Sequence, residues 1–175
     1  QFDPVQAGAG VHGVQYTYQD ANNCMASDSQ TVTVHALTPA SFTSGPDSIC
    51  QNGTPATLVA SPIGGIFSGP GISGSTFDPS GVPIGANVLE YIYTDGNSCV
   101  SRDTLIPEVL APPVPTFGVL PGGVCIDQSP VSLTGLPAGG TFSGPGVTGI
   151  QFDPAQAGLG VQVINYIYLD PFGCQ

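Results

Sequence analysis

Five cysteines carry the clearest potential chemistry of this chain, because their spacing repeats. Cys50 precedes Cys99 by 49 residues, and Cys125 precedes Cys174 by the same 49. A regular interval between thiols is typical of structural disulfides, whereas a metal site needs clustered Cys and His residues, which are absent. The spacing predicts the bonds Cys50–Cys99 and Cys125–Cys174, with the partner of Cys24 lying outside the chain. Such bonds persist in an oxidising compartment.

The two histidines and one glycine-rich segment offer little support for catalysis. Gly8 to Gly13 fits the pattern GxGxxG, but a dinucleotide site needs a helix after these glycines, and here a β-strand pattern follows. His12 and His35 have no recurring Ser, Cys or Asp partner, which disfavours a hydrolytic triad and a zinc site. The sequence therefore predicts that the protein is not an enzyme.

Aspartate recurs at two places and supplies the remaining candidate site. One set precedes proline and consists of Asp3, Asp78 and Asp153, and the other follows a strand pattern and consists of Asp20, Asp95 and Asp170. Carboxylate oxygens suit calcium, so the second set is a weak calcium candidate, and no other cofactor is predicted. The structural alternative makes the first set helix N-caps and the second set turn residues. It is favoured, because no DxDxDG-type loop is present.

All these residues belong to a pattern with a period of 75 residues. Its most regular part runs from a Phe-Asp-Pro at Phe2, Phe77 and Phe152 to a cysteine at Cys24, Cys99 and Cys174, with no insertion or deletion. A period of this length indicates one small domain per repeat rather than a solenoid. The predicted boundaries are 1–37 for the C-terminal part of a first repeat, 38–112 for a complete second repeat, and 113–175 for a third repeat lacking its last strand.

Within each repeat the sequence predicts short strands and turns. Asp-Pro begins a single helical turn, which glycine closes in two repeats; Pro83 replaces that glycine in the second, so closure is expected at Gly85. A period-two strand follows, and its large apolar face is predicted to point into a core. Pro107 predicts an edge strand near the end of the repeat. The fold class is all-β: tandem small immunoglobulin-like β-sandwich domains with one disulfide per 75-residue repeat.

The charge balance excludes some partners. The chain has twelve acids, a single basic residue, Arg102, and a net charge of −11. Nucleic-acid partners are excluded, because affinity for a phosphate backbone comes from Lys and Arg. The segment has no apolar run of about 18 residues, which predicts that it does not insert into a membrane.

The combined pattern C-x(7)-L, GGxFSGPG, FDP, YxYxD and C resembles the immunoglobulin-like or PKD-like repeats of very large surface proteins of gliding Bacteroidota, over the whole chain. The resemblance implies secretion by the type 9 system, an extracellular location attached to the outer membrane, and a role as adhesin or filament. It also makes Ser48 and Thr104 candidate O-glycosylation sites, each following Asp and preceding an aliphatic residue. Asn52 begins a formal N-glycosylation sequon of little weight in a bacterial protein.

The expected function is a structural or adhesive module in the stalk or fibre of a cell-surface protein, with gliding motility or surface attachment as its setting. Expected partners are neighbouring repeats, other copies in a filament, and surface polysaccharide or a solid surface. The alternative is a carbohydrate-binding module of a secreted multidomain protein. Exposed aromatic side chains favour that alternative, because they stack on sugars.

Overall fold

Short strands joined by turns rich in glycine and proline make up nearly all the regular structure. The computed structural model describes all 175 residues. The strands in chain order are β1 (Gly10–Gln19), β2 (Met25–Val34), β3 (Ser41–Ser44), β4 (Ser48–Cys50), β5 (Ala56–Thr57), β6 (Val59–Ser61), β7 (Ile66–Ser68), β8 (Ile72–Ser73), β9 (Thr76–Phe77), β10 (Gly85–Ala86), β11 (Leu89–Thr94), β12 (Val100–Leu105), β13 (Glu108–Leu110), β14 (Thr116–Phe117), β15 (Val131–Ser132), β16 (Gly135–Leu136), β17 (Thr141–Ser143), β18 (Val147–Thr148), β19 (Gln151–Phe152) and β20 (Asn165–Ile167). The helices are α1 (Pro4–Ala7) and α2 (Pro154–Ala157), and a 3-10 turn spans Pro79–Gly81.

The chain forms two compact units that do not follow the predicted repeat boundaries. The first unit contains Gln1–Gly45, Thr57–Thr76 and Val88–Ile106. The second contains Pro46–Ala56, Phe77–Asn87 and Pro107–Gln175. Residues of the second repeat, 38–112, are thus divided between the two units. The repeat describes the sequence period, whereas each unit is a set of residues in mutual contact.

In the first unit, antiparallel pairing dominates. β1 and β2 form a ten-residue hairpin from Gly10↔Val34 to Gln19↔Met25. β11 lies between β12 and β7, and β3 pairs with β6. Strands β5, β9 and β8 form a small sheet in that order, of which Ala56 and Phe77 are assigned to the second unit. The core of this unit contains the buried residues Leu58, Ala60, Leu89 and Tyr91.

In the second unit, β13 lies between β10 and β4 and pairs in parallel with β4. The remaining sheets are β14–β16, β15–β19–β18 and β17–β20. The prediction of an edge strand that contains Pro107 is wrong, because the strand there, β13, begins at Glu108 and lies between two others. Pro107 lies between β12 and β13, so its missing N–H removes no bond from either ladder, and its carbonyl accepts from the Asn87 N–H at 3.0 Å.

An aromatic cluster occurs at equivalent positions of the second and third repeats. In the second repeat, Phe67 stacks on Tyr91 with 4.7 Å between ring centroids and lies 5.7 Å from Phe42. In the third, Phe142 lies 4.6 Å from Tyr166 and 5.4 Å from Phe117. Each tyrosine hydroxyl donates to a proline carbonyl 29 residues earlier, Pro62 or Pro137. It also accepts from a glycine N–H, Gly65 at 2.8 Å or Gly140 at 2.9 Å.

The sequence predicted that one face of the period-two strand points into a core. The burial of this face agrees with that prediction in the second and third repeats and not in the first. Leu89 and Tyr91 are buried, and the third-repeat residues Ile164, Tyr166 and Tyr168 are half-buried. Val14, Tyr16 and Tyr18, at the same positions of the first repeat, are exposed. No side chain of the chain covers this face of the β1–β2 hairpin.

The Asp-Pro turns form as predicted, with one difference in closure. Both α1 and α2 have four residues, an Asp N-cap, and a glycine C-cap with positive φ, 77° at Gly8 and 82° at Gly158. In the second repeat the turn is a shorter 3-10 turn that closes at Val82 in the extended region, not at Gly85. Pro83 cannot adopt positive φ, so the turn ends one residue early.

No helix of the chain is long and apolar enough to cross a membrane.

Candidate functional site: the cysteine-bearing turns

Three turns of identical geometry carry one cysteine each, and we call them the Asp–Cys turns: Asp20–Cys24, Asp95–Cys99 and Asp170–Cys174. In each turn the Asp Oδ1 accepts from the cysteine N–H at 2.8–2.9 Å and from the N–H two residues after the Asp at 2.8–2.9 Å. The Asp N–H donates to the cysteine carbonyl at 3.0 Å. The residue before the cysteine has positive φ, 64° at Asn23, 66° at Ser98 and 84° at Gly173. Four shared features make the three turns structural copies.

The two other cysteines, Cys50 and Cys125, also occupy matching turns. The Cys50 carbonyl accepts from the Gly53 N–H at 2.8 Å, and the Cys125 carbonyl accepts from the Gln128 N–H at 3.1 Å. We call these two the leading cysteines, because they come first in a repeat. The cysteines of the Asp–Cys turns are the trailing cysteines.

One disulfide forms, and it joins Cys50 to Cys174. The predicted bonds Cys50–Cys99 and Cys125–Cys174 are therefore corrected: Cys24, Cys99 and Cys125 are free thiols. The bonded Cα atoms are 5.5 Å apart, within the range that a disulfide requires. Beside the bond, the Asn52 Nδ2 donates to the Gln175 carbonyl at 2.6 Å.

The bond crosses from one sequence repeat to the next. Its separation of 124 residues equals the predicted 49 plus one period of 75. In a tandem array the sequence can reveal which two positions pair, a leading and a trailing cysteine, because every copy contains both. It cannot reveal which copies meet, since copies are indistinguishable by spacing. The structure selects the trailing cysteine of the following repeat.

The bonded turn is also the buried one. Cys174 is 1% exposed, Cys50 and the free Cys99 are half-buried, and the free Cys24 and Cys125 are exposed. The leading-cysteine segment is fixed further by Gln51, whose N–H donates to the Leu110 carbonyl and whose Nε2 donates to the Val82 carbonyl, both at 2.9 Å. This segment and the Asp170–Cys174 turn form the candidate site, which we call the junction.

The weak calcium candidates Asp20, Asp95 and Asp170 serve as turn residues. One oxygen of each carboxylate already accepts two backbone N–H groups. No group of three or more His, Cys, Asp or Glu side chains lies together in a metal-binding arrangement. A calcium ion prefers six to eight oxygen ligands, which these turns do not assemble.

We therefore expect calcium to leave the thermal stability of the protein unchanged. The melting temperature should be the same, within about 1 °C, in millimolar calcium and in excess chelator, because one oxygen of each turn carboxylate already accepts two backbone N–H groups. The measurement is thermal unfolding followed by circular dichroism, with magnesium as the ionic-strength control. A rise of several degrees with calcium and not with magnesium would overturn this expectation.

The first aspartate set consists of N-caps. Asp3, Asp78 and Asp153 each accept from the backbone N–H two residues later at 2.9 Å. At Asp78, hydrogen bonds from the Ser80 N–H and then from its side chain lower the pKa of the carboxyl. A folded pKa below the unfolded one stabilises the fold at neutral pH, and this contribution is lost as the pH falls through the folded pKa.

His12 makes a side-chain hydrogen bond to the backbone that recurs in all three repeats, and the sequence pattern did not predict it. Its Nε2 donates to the Gly8 carbonyl at 2.8 Å, four residues back. Asn87 donates to the Pro83 carbonyl at 2.9 Å and Gln162 to the Gly158 carbonyl at 3.4 Å, also four residues back. Histidine, asparagine and glutamine look unrelated, but each carries a side-chain N–H. That shared donor was the signal available in the sequence.

The other predicted positions lie apart from the junction or on the surface. Gly8 to Gly13 leads into strand β1 and not into a helix, so it lacks the context of a nucleotide site. His35 is exposed just after β2. Ser48 on β4, Thr104 on β12 and Asn52 after β4 are exposed, as a modified residue must be.

An open apolar groove lies in the third repeat and measures about 340 Å³. Val124, Gly160 and Val161 line it, and these positions correspond to Ile49, Gly85 and Ala86 of the second repeat. There, Val109 of β13 fills the equivalent space, paired with Ile49 on one side and Gly85 on the other. The groove thus lies at the position that strand β13 occupies in the second repeat, which argues against a small-molecule pocket.

Comparison of the chain with models of protein families, with curated proteins and with solved structures gives no match in any of the three. The function of the chain must therefore be inferred from its own repeats and from the junction.

Proposed function

We propose that the chain is a structural and adhesive repeat module in the stalk or fibre of a very large bacterial cell-surface adhesin or extracellular filament. In this proposal the protein is secreted, attached at the outer membrane, and engaged in surface attachment or gliding. Its partners are neighbouring repeats, further copies in a filament, and a surface polysaccharide or solid surface.

The observation that carries the proposal is the Cys50–Cys174 bond. It links a leading cysteine of one repeat to the trailing cysteine of the next, across 124 residues. Force applied along the chain bypasses the residues between the two cysteines, because the disulfide provides a shorter covalent path. A protein that transmits tension benefits from such a path.

The 75-residue unit itself we propose to be a small immunoglobulin-like sandwich. The chain is nearly all β, and the second and third repeats share the aromatic cluster of two phenylalanines and a tyrosine. They also share the tyrosine hydroxyl bonds to a proline carbonyl and a glycine N–H. Repeated side-chain packing of this detail supports one domain fold used more than once.

The experiment is to pull single molecules from their termini in oxidising and in reducing buffer. In oxidising buffer the segment from Cys50 to Cys174 should not extend, and its separation of 124 residues hides roughly 430 Å of chain at about 3.5 Å per residue. Adding reductant should release that length in one step. A Cys174→Ser variant should extend fully in either buffer. Full extension of the oxidised parent protein would contradict the proposal that tension passes through the disulfide.

The alternative, a carbohydrate-binding module, has one observation in its favour. Phe172 is 72% exposed on the Asp170–Cys174 turn, where a ring could stack on a sugar. The equivalent residues Asn22 and Asn97 are not aromatic, so this feature occurs once. The exposed Tyr16 corresponds to the buried Tyr91, and its exposure reflects an uncovered strand face. We therefore place carbohydrate binding second.

A further inference from the structure

The spacings among the three free cysteines all differ from the spacing of the bonded pair. Cys50 and Cys174 are 124 residues apart, and no two of Cys24, Cys99 and Cys125 are separated by that distance. A spacing of 49 residues would instead bond Cys50 to Cys99 and Cys125 to Cys174, yet Cys99 and Cys125 are free. The free state of these three thiols is what the 124-residue rule requires.

The free thiols are already held in the geometry of the bonded ones. Cys24 and Cys99 lie in Asp–Cys turns with the hydrogen bonds of the bonded Asp170–Cys174 turn. Cys125 and the bonded Cys50 share one turn hydrogen bond, because the carbonyl of each accepts from the N–H three residues later. Each free thiol therefore presents one half of a junction whose complete form occurs elsewhere in the same chain.

We propose that Cys50–Cys174 is one bond of a ladder, in which the leading cysteine of each repeat bonds to the trailing cysteine of the repeat that follows. Cys125 is then a covalent docking site for the Asp–Cys turn of another repeat. Cys24 and Cys99 are the matching halves for leading cysteines of other repeats. The partner is a repeat of this same kind, supplied by a longer chain or by a second copy. This inference rests on the proposed function, whose tension-bearing path it extends.

The bond forms by oxidation of two thiols. The thiolate of Cys125 attacks a disulfide oxidant such as oxidised glutathione and releases one glutathione thiolate. The trailing thiolate then attacks the mixed disulfide at the Cys125 sulfur and releases the second. The two protein thiols lose two protons and two electrons, and one oxidised glutathione becomes two reduced glutathiones.

A ladder of this kind protects the whole fibre against a single cut. Bonds that span 124 residues and begin every 75 residues overlap by 49. Every peptide bond of an extended array then lies inside at least one disulfide loop. Bonds within single repeats would leave the segments between repeats as the only covalent link, and one cleavage there would divide the fibre.

The test uses the 175-residue chain at high concentration in a glutathione redox buffer. We expect covalent dimers in which Cys125 of one copy is joined to Cys24 or Cys99 of the other. These bonds are identified by mass spectrometry after peptic digestion at acid pH, which prevents exchange. Cys125→Ser should lower the yield of these dimers at least tenfold while the Cys50–Cys174 bond persists. The double variant Cys24→Ser, Cys99→Ser should lower it equally.

The proposal is overturned if no dimer forms and Cys125 also stays free in the extended chain described next, or if Cys125–Cys125 bonds are as abundant as bonds between a leading and a trailing cysteine. A second arm distinguishes the source of the partner. A chain extended after Gln175 by a further copy of residues 101–175 places a trailing cysteine 124 residues beyond Cys125. If a longer chain supplies the partner, Cys125 should bond within this molecule at any concentration. Failure of either arm leaves the pulling experiment unaffected, since that result depends only on Cys50–Cys174.

Discussion

Trypsin should cut the unfolded, unreduced protein once, after Arg102, and the two fragments should stay joined. Arg102 is the only Lys or Arg of the chain, so no other tryptic site exists. The cut falls between Cys50 and Cys174, and their disulfide therefore bridges residues 1–102 and 103–175. In the pairing expected from spacing, Cys50–Cys99 and Cys125–Cys174, each bond lies on one side of the cut. That pairing would release two separate fragments.

The measurement is denaturing gel electrophoresis with and without reductant. Free thiols are first alkylated in urea, so that they cannot exchange, and trypsin is then added. The cut protein should run as one covalent species until reductant separates it into two. The two tryptic fragments of the Cys174→Ser variant should separate without reductant. Those of the Cys99→Ser variant, the matched control at the equivalent position, should stay joined as in the parent. Separation of the parent protein without reductant would show that Cys50 and Cys174 are not bonded.

Local structure was predictable from the sequence because its causes are local. The Asp-Pro pair at Asp153 and the glycine at Gly158 contain all that a capped helical turn needs, and the turn forms there. The loss of that glycine at Pro83 correctly predicted a different closure. The residue that closes the turn, Val82, was missed, because a shortened 3-10 turn needs no positive φ.

Features that depend on contacts between distant residues were not predictable in the same way. The partner of Cys50 depends on which copy of the Asp–Cys turn reaches it, and all copies have the same sequence signal. The central place of β13 was missed because Pro107 was assigned to the strand, whereas it lies just before it. Tyr16 and Tyr91 have the same local pattern and opposite exposure, since burial depends on what packs on the strand.

Truncation of Tyr91 should destabilise the protein strongly, while the same change at Tyr16 should have almost no effect. Tyr91 is 1% exposed and contacts Phe67, whereas Tyr16 is 68% exposed at the equivalent position. Replacing a buried aromatic residue by alanine costs about 3–5 kcal/mol of unfolding free energy, because it leaves a cavity and removes apolar contacts. An exposed substitution usually stays within about 0.5 kcal/mol. The pair Tyr91→Ala and Tyr16→Ala thus isolates burial from residue type.

The hydroxyl of Tyr91 should account for a separate part of the unfolding free energy that Tyr91→Ala loses. It donates to the Pro62 carbonyl and accepts from the Gly65 N–H at 2.8 Å, so Tyr91→Phe leaves a half-buried donor and a half-buried acceptor without this partner. A fully buried unsatisfied group costs about 1–3 kcal/mol, and the half-buried groups here cost less, which still puts the unfolding free energy of Tyr91→Phe below that of the parent although the ring is retained. Urea unfolding followed by far-ultraviolet circular dichroism, under oxidising conditions, measures all three variants. Tyr91→Phe also keeps the experiment informative if Tyr91→Ala does not fold. Equal unfolding free energies of Tyr91→Phe and the parent protein would mean that these hydrogen bonds contribute nothing. Equal losses of unfolding free energy in Tyr16→Ala and Tyr91→Ala would mean that the first-repeat strand face is covered by a partner.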